Sequence, residues 1–175
     1  MEATKVWGID PTHSEVQFKI KHLVISTVTG QFTDFSGEIH SNGDNFEGAK
    51  AKFEAQISSI STNNEDRDGH LKSADFFDAE NFPVLIFEST EFKRVDEDNF
   101  EIKGNMKIKD VSKEITLKAE YGGQMTDFYG NLKVGFEISG KISRKDFGLT
   151  WNGVTEAGGV VVSDEVKLLL NLQFA

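Results

Sequence analysis

Cysteine is absent from all 175 residues, which excludes disulfides, iron–sulfur clusters and thiol chemistry. Positive charge is scarce as well: 19 Lys and Arg stand against 29 Asp and Glu, for a net charge of −10. Nucleic acid and anionic membrane surfaces repel such a chain, and neither is expected as a partner. Long apolar runs are missing, the longest leucine run being Leu168–Leu170, so stable membrane insertion is not expected. The N-terminus, Met-Glu-Ala-Thr-Lys-Val-Trp, has no basic stretch leading into an apolar one. A cytoplasmic location is the expectation for the chain as given, and a periplasmic one if an export signal has been removed. Tyr and Trp number two each against 15 Phe. Phe carries no polar handle, so a Phe-rich interior can be dry, which suits a packed core or an apolar pocket equally.

Most of what is present alternates. In Glu15 to Lys21, Val16, Phe18 and Ile20 share one face and polar groups the other, the pattern of a half-buried strand. Similar rows are Ala51, Phe53, Ala55 and Ile57; Phe100, Ile102, Gly104, Met106 and Ile108; and Ile115, Leu117, Ala119 and Tyr121. Further rows run from Leu132 through Phe136 to Ile142 and from Val166 through Leu170 to Phe174. Less regular candidates are Lys5 to Ile9, Gly30 to His40 and Val84 to Lys93. Asn42-Gly43-Asp44, Asp96 to Asn99, Lys109 to Lys113 and Gly122-Gly123 read as hairpin connectors, and Gly153 and Gly158-Gly159 as loop glycines. Strands this long with one wet face need a cover, either a second sheet or closure of the sheet on itself. The immunoglobulin alternative lacks its Cys…Trp…Cys spacing. The reading is therefore all-β: one domain over residues 1–175, a single antiparallel, eight-stranded, lipocalin-like β-barrel.

Asn63 to Pro83 is the one long stretch that alternation does not explain. Asn63 and Asn64 suit an N-cap, Glu65 and Asp66 suit a helix N-terminus, and Arg67 and Leu71 are four apart, which predicts a short helix at about residues 64–73. Pro83 then pushes Asn81 and Phe82 toward extended geometry. This segment is expected to lie over one barrel end as a lid.

Catalytic signatures are missing: there is no Gly-x-Ser-x-Gly, phosphate loop, zinc-protease helix or dinucleotide fingerprint. No catalytic residue and no cofactor is assigned, and an enzyme is not expected. His13 and His22 bracket one strand with opposite parity and make a poor metal pair. Structural hydrogen bonding, through Asp10, Ser14 or backbone, is the better reading of each. Asp66 and His70, four apart on the helix, offer two ligands without a third, so no metal site is assigned. Arg67, Asp68 and His70, and separately Arg144 and Asp146, are charged groups flanked by apolar ones; they either pin the lid to the rim or meet a polar head group.

Trp7-Gly8-Ile9-Asp10-Pro11-Thr12-His13-Ser14 runs into Val16-x-Phe18-x-Ile20-Lys21-His22-Leu23. Thr62 to Phe77 follows with Arg67-Asp68-Gly69-His70-Leu71-Lys72-Ser73 and Asp75-Phe76-Phe77, then Phe82-Pro83-x-x-x-Phe87, Arg144-x-Asp146-Phe147-Gly148-Leu149 and Asp164-Glu165-Val166. Over nearly its whole length the chain resembles the YceI-like family. The resemblance implies a barrel whose interior binds a long apolar molecule: a polyisoprenoid, an isoprenoid quinone or a fatty-acid-type lipid. It also places Arg67, Asp68, His70, Phe76 and Phe77 around the lid, with Arg144 and Asp146 as neighbours. The tail would then meet Val16, Phe18, Ile20, Phe53, Phe76, Phe77, Met106, Leu117, Phe136 and Leu170, with Arg67, His70 and Arg144 at its head or pinning the lid. The expected partner is a hydrophobic small molecule, carried or stored, and a homodimer is left open. Two rivals remain: an enzyme on a lipid-like substrate using His70 with Asp66 or Asp68 as acid and base, and a solid, ligand-free stress-related interaction protein.

Overall fold

The computed structural model describes residues 4–22, 26–43, 45–74, 76–149 and 162–175. Leu23, Asp44, Asp75, Gly153, Gly158 and Gly159 lie outside the described residues, as does the side chain of His22. The strands are β1 (Thr4–Gly8), β2 (Glu15–His22), β3 (Ser26–Phe32), β4 (Phe35–Asn42), β5 (Asn45–Gln56) and β6 (Ile60–Ser61). After the helix α1 (Glu65–Lys72) come β7 (Val84–Arg94), β8 (Asn99–Ile108), β9 (Val111–Thr126), β10 (Leu132–Ser143) and β11 (Val162–Phe174). No helix among the described residues is long and apolar enough to cross a membrane.

The sheet order is β1-β4-β5-β7-β8-β9-β10-β11-β2-β3-β6, with every pairing antiparallel. Eleven strand segments stand where the alternation predicts eight strands, because three of the eight are interrupted. A 3₁₀ turn at Pro11–His13 separates β1 from β2, a bend at Thr33 and Asp34 separates β3 from β4, and a 3₁₀ turn at Ile57–Ser59 separates β5 from β6. Pro11 has no N–H for a ladder, which is reason enough for the first break. Across the breaks the partners stay the same: β1 pairs β4 while β2 pairs β3, and β4 pairs β5 while β3 pairs β6.

The β1/β2 strand also pairs β11 on its other side, with Val16 opposite Leu170 and Ile9 bridging Phe174. Gly8 and Ala175 exchange backbone N–H···O bonds of 2.9 Å each way, and Asp10 N–H donates to the Gln173 carbonyl at 2.7 Å. First and last strands thus meet, and the sheet closes on itself as an up-and-down barrel.

Asp10 fastens this seam at the β1/β2 kink. Its carboxylate accepts from the Thr12 N–H (3.1 Å) and hydroxyl (2.7 Å), lies 2.9 Å from His13 Nδ1, and accepts from Lys133 Nζ of β10 at 3.2 Å. Those bonds, the Thr12 hydroxyl first and His13 next, hold the Asp10 carboxyl well below the ordinary carboxylate range against the opposing effect of burial.

Alternation places the apolar rows inside, as Phe100, Ile102, Met106 and Ile108 are all buried. Gly122-Gly123 is not a connector: β9 runs through it for 16 residues, and Gly135 pairs Gly123 while Phe136 pairs Tyr121, which leaves Gly122 as a bulge. Gly123 sits at φ 106, where a side chain is strained, so the glycines serve a kinked strand rather than a turn. The true β9–β10 turn is built on Asp127, whose carboxylate accepts from the N–H groups of Tyr129 and Asn131 at 2.9 Å each.

Aromatic side chains fill the barrel end that contains this turn. Phe136 is the hub, with ring centroids of Phe46, Tyr121, Phe174, Phe92 and Phe100 at 5.2, 5.3, 6.1, 6.2 and 6.2 Å. Trp7, 1% exposed, stacks on Phe46 at 5.7 Å and donates its indole N–H to Ser41 Oγ at 3.0 Å. Such a cluster, worth about 0.5–1.5 kcal/mol per pair beyond its buried area, plugs that end.

Replacing Asp10 with Asn is expected to lower the melting temperature at pH 7 by about 2–4 °C, the shift of about 1 kcal/mol in a chain of this size. A carboxyl held below its unfolded value stabilises fully above that value and loses its contribution as pH falls through the folded one. The gap between wild type and variant in thermal melts should therefore narrow below about pH 4.

Candidate functional site

At the other end the barrel is hollow. Two neighbouring cavities lie inside it, an inner one of about 90 Å³ and an outer one of about 460 Å³ beneath the lid. Phe18, Phe32, Leu85, Met106 and Leu168 line both, so they form the boundary between them. The walls of the outer chamber are Ile20, Val28, Ile108, Ile142 and Val166, with Leu71, Phe76 and Phe77 coming from the lid. These walls come from the strand ends nearest α1, where Ile, Val, Leu and Met stand in place of the rings that fill the opposite end.

The lid forms as its sequence dictates. Asn64 caps α1 by accepting from the Arg67 N–H at 3.1 Å, and the helix runs over Glu65–Lys72. No α1 residue is fully buried, so tertiary contacts outside the helix must hold it. Thr62, 5% exposed, is the hub: its N–H and hydroxyl donate to Asp68 Oδ1 at 2.8 and 2.5 Å. Its hydroxyl and carbonyl oxygens in turn accept from Arg67 Nε and Nη2, both at 2.7 Å. After α1 the Phe77 and Ala79 N–H groups donate back to the Leu71 and Lys72 carbonyls at 3.0 and 2.9 Å, which turns the chain and brings both phenylalanines inward. Phe76 meets the His70 ring edge-on at 5.1 Å, and Phe77 meets Phe32 edge-on at 6.4 Å.

Arg144 enters from the opposite rim, on a 3₁₀ turn (Arg144–Phe147) that ends at Gly148 with φ 78. Only 2% exposed, its guanidinium donates from Nε to the Ser163 carbonyl at 2.8 Å and from Nη1 to the Leu149 carbonyl at 2.6 Å. Burial pushes its pKa down from the ordinary arginine value, and the Asp164 charge pulls it back up. Asp164 is itself held low, first by the Ser143 hydroxyl at 2.5 Å and also by the Lys145 N–H at 3.2 Å.

Of the residues singled out from sequence, Val16, Phe53, Leu117, Phe136 and Leu170 line the inner chamber, and Phe18 and Met106 line both. Ile20, Phe76, Phe77, Arg67, His70 and Arg144 line the outer one. Phe136 does so as the hub of the plug. Asp68 faces Thr62 and lines neither chamber; its role is to hold the lid. Asp146 is misplaced by the sequence reading: it is exposed, 3.8 Å from Lys113, because the 3₁₀ turn that buries Arg144 directs a residue two positions on away from the cavity. Among the described residues, Arg67 and Asp68 meet through Thr62. Thr62 itself, together with Lys21, Phe32, Leu85 and Leu168, was not singled out. Leu168 carries the same parity as Leu170 and was readable, whereas Thr62 gives no pattern signal at all.

Asp66 and His70 both border the outer chamber, and no three His, Cys, Asp or Glu side chains gather at a metal-binding distance among the described residues. Lys21, Arg67 and the buried Arg144 line the outer chamber along with Asp66. The chamber lining thus holds three cations and one carboxylate in a chain of net charge −10.

Against known proteins, the model of the YceI-like domain family matches residues 7–174. A UPF0312 protein of Enterobacter sp. (strain 638) is 38% identical over 161 residues, covering 92% of this chain and 80% of the relative. The crystal structure of a Campylobacter jejuni YCEI protein is 35% identical, with a TM-score of 0.74 over 89% of this chain and 88% of that one. A polyisoprenoid binding domain from Saccharophagus degradans has a TM-score of 0.67 at 17% identity, over 96% and 97% of the two chains, and shares the fold.

Thr62→Val removes the hydroxyl that joins Arg67 to Asp68 while keeping the side-chain shape. It should cost about 1–3 kcal/mol of lid stability. Hydrogen exchange should show faster exchange of the α1 amides, with β8 to β10 unchanged.

Proposed function

The chain belongs to the YceI-like family, and on that footing we propose that it holds one long apolar molecule of isoprenoid, isoprenoid-quinone or fatty-acid type inside the barrel, as a carrier or store. The observation that carries this reading is the void of about 460 Å³ under the lid, walled largely by aliphatic and Phe side chains, with a further cavity of about 90 Å³ next to it toward the plug. Each methylene moved from water into such walls gains about 0.8 kcal/mol, so ten of them offer on the order of 8 kcal/mol before association costs are subtracted. Micromolar binding then needs little polar recognition.

The rim supplies what little there is. Lys21, Arg67 and Arg144 favour an anionic head or one rich in acceptor oxygens, held at the mouth with the tail pointing toward the plug. Arg67, half-buried, already spends Nε and Nη2 on Thr62, which fixes its guanidinium in place at the chamber wall. The role is binding rather than catalysis, and no cofactor is needed. Asp68, one of the two candidate partners of His70, is committed to Thr62. The shared fold with a polyisoprenoid binding domain supports an isoprenoid among the tails considered.

Organic-solvent extraction of the purified protein followed by mass spectrometry is expected to release a molecule with a long apolar chain. The emptied protein should then take up a fluorescent fatty-acid probe at about one per chain. An empty extract together with no probe uptake would contradict the proposal.

A further inference from the structure

Phe18 is paired directly across the sheet with Gly30. A Cβ built on Gly30 would lie 2.2 Å from Phe18 Cζ and 2.7 and 2.8 Å from its two Cε atoms, so the ring rests on the bare backbone of the glycine. No side chain other than hydrogen leaves that seat open. Seated there, with its centroid 5.7 Å from that of Phe32, the ring forms part of the boundary between the two chambers. Any larger residue at position 30 would drive the ring toward the barrel axis. A ring removed altogether would open that boundary and join the two chambers.

Resting on the proposed tail-binding role, we infer that Phe18 seated on Gly30 is the specificity-determining gate that sets how long a tail the barrel accepts. Tails that fit the outer chamber end above the gate, which forms part of that chamber's floor, and need not pass it. Longer tails must pass the neck formed by Phe18, Phe32, Leu85, Met106 and Leu168 into the inner chamber, which at about 90 Å³ admits only a short further length before the Phe136 plug. Affinity therefore rises with chain length and then stops rising, and the position of that limit belongs to the 18–30 pair.

Saturated fatty acids of increasing length, titrated calorimetrically into the delipidated full chain, test this. For wild type each added methylene should tighten binding about fourfold up to a limiting length and add nothing beyond it. Gly30→Ala should move the limit at least two carbons shorter, leaving unaffected only acids too short to reach Phe18. Phe18→Ala should move it at least two carbons longer, so that acids past the wild-type limit regain about fourfold per methylene. Phe18→Leu should fall between. Circular dichroism checks each fold; if Gly30→Ala does not fold, the two Phe18 variants decide by themselves. Binding with the same limiting length in wild type and in the folded variants overturns the gate while leaving the tail-binding role standing. No binding of any acid by wild type overturns both.

Discussion

Closure of the sheet is the constraint on which the rest of the molecule depends. Gly8 and Ala175 bond reciprocally, Ile9 bridges Phe174, and Asp10 fastens the adjacent kink to Lys133. A closed antiparallel sheet of eight strands has no free edge, and its strand number sets an interior just wide enough for side chains or one slender ligand. With the cross-section fixed, side-chain size alone decides whether a given layer is solid. At the Trp7 end, rings gathered about Phe136 fill the layer. At the lid end, aliphatic side chains of the same inward parity do not meet across the axis, and a cavity of about 460 Å³ remains. A void of that size costs stability unless something apolar occupies it, because its lining atoms lack packing partners.

The lid adds a second, weaker level of organisation. Helix α1 has no fully buried residue, so its attachment rests on the Thr62 hub beneath it and on Phe76 and Phe77 beyond it. Elements with few buried contacts belong to the low-stability end of a structure and open locally. A barrel with one end sealed by aromatics and the other covered by such an element can open at the lid without disturbing the seam. The lid-end chamber also has three cations in its lining, in a chain that is otherwise strongly acidic.

Period-2 alternation made the fold legible, because it reports which face each residue takes. Val16, Phe18, Ile20, Met106, Leu117 and Leu170 face inward as their parity requires. The Asn64 cap with its acidic first turn likewise marked the start of α1. Parity carries no information about depth along the axis. Ile20 and Phe136 are both inward residues, yet one borders the open chamber and the other anchors the plug, and only the three-dimensional register separates them. Glycine misled where a bulge and a turn share the same residue preference, so Gly122-Gly123 read as a connector although β9 passes straight through. Neighbours in sequence misled where a 3₁₀ turn separates them, burying Arg144 and exposing Asp146. Thr62 was invisible for a different reason: a single threonine that bonds both a cation and an anion has no periodic signature.

The central claim is that the lid end of the barrel is hollow and apolar. Diffraction from crystals pressurised with xenon tests it most directly, since xenon enters dry apolar voids and scatters strongly. Xenon is expected between Ile20, Met106 and Leu168 beneath the lid, unless an apolar chain already lies there, in which case elongated density should follow the axis from Arg67 toward Phe136. Side chains closing across the axis at that level, with neither xenon nor a bound chain between them, would contradict the claim.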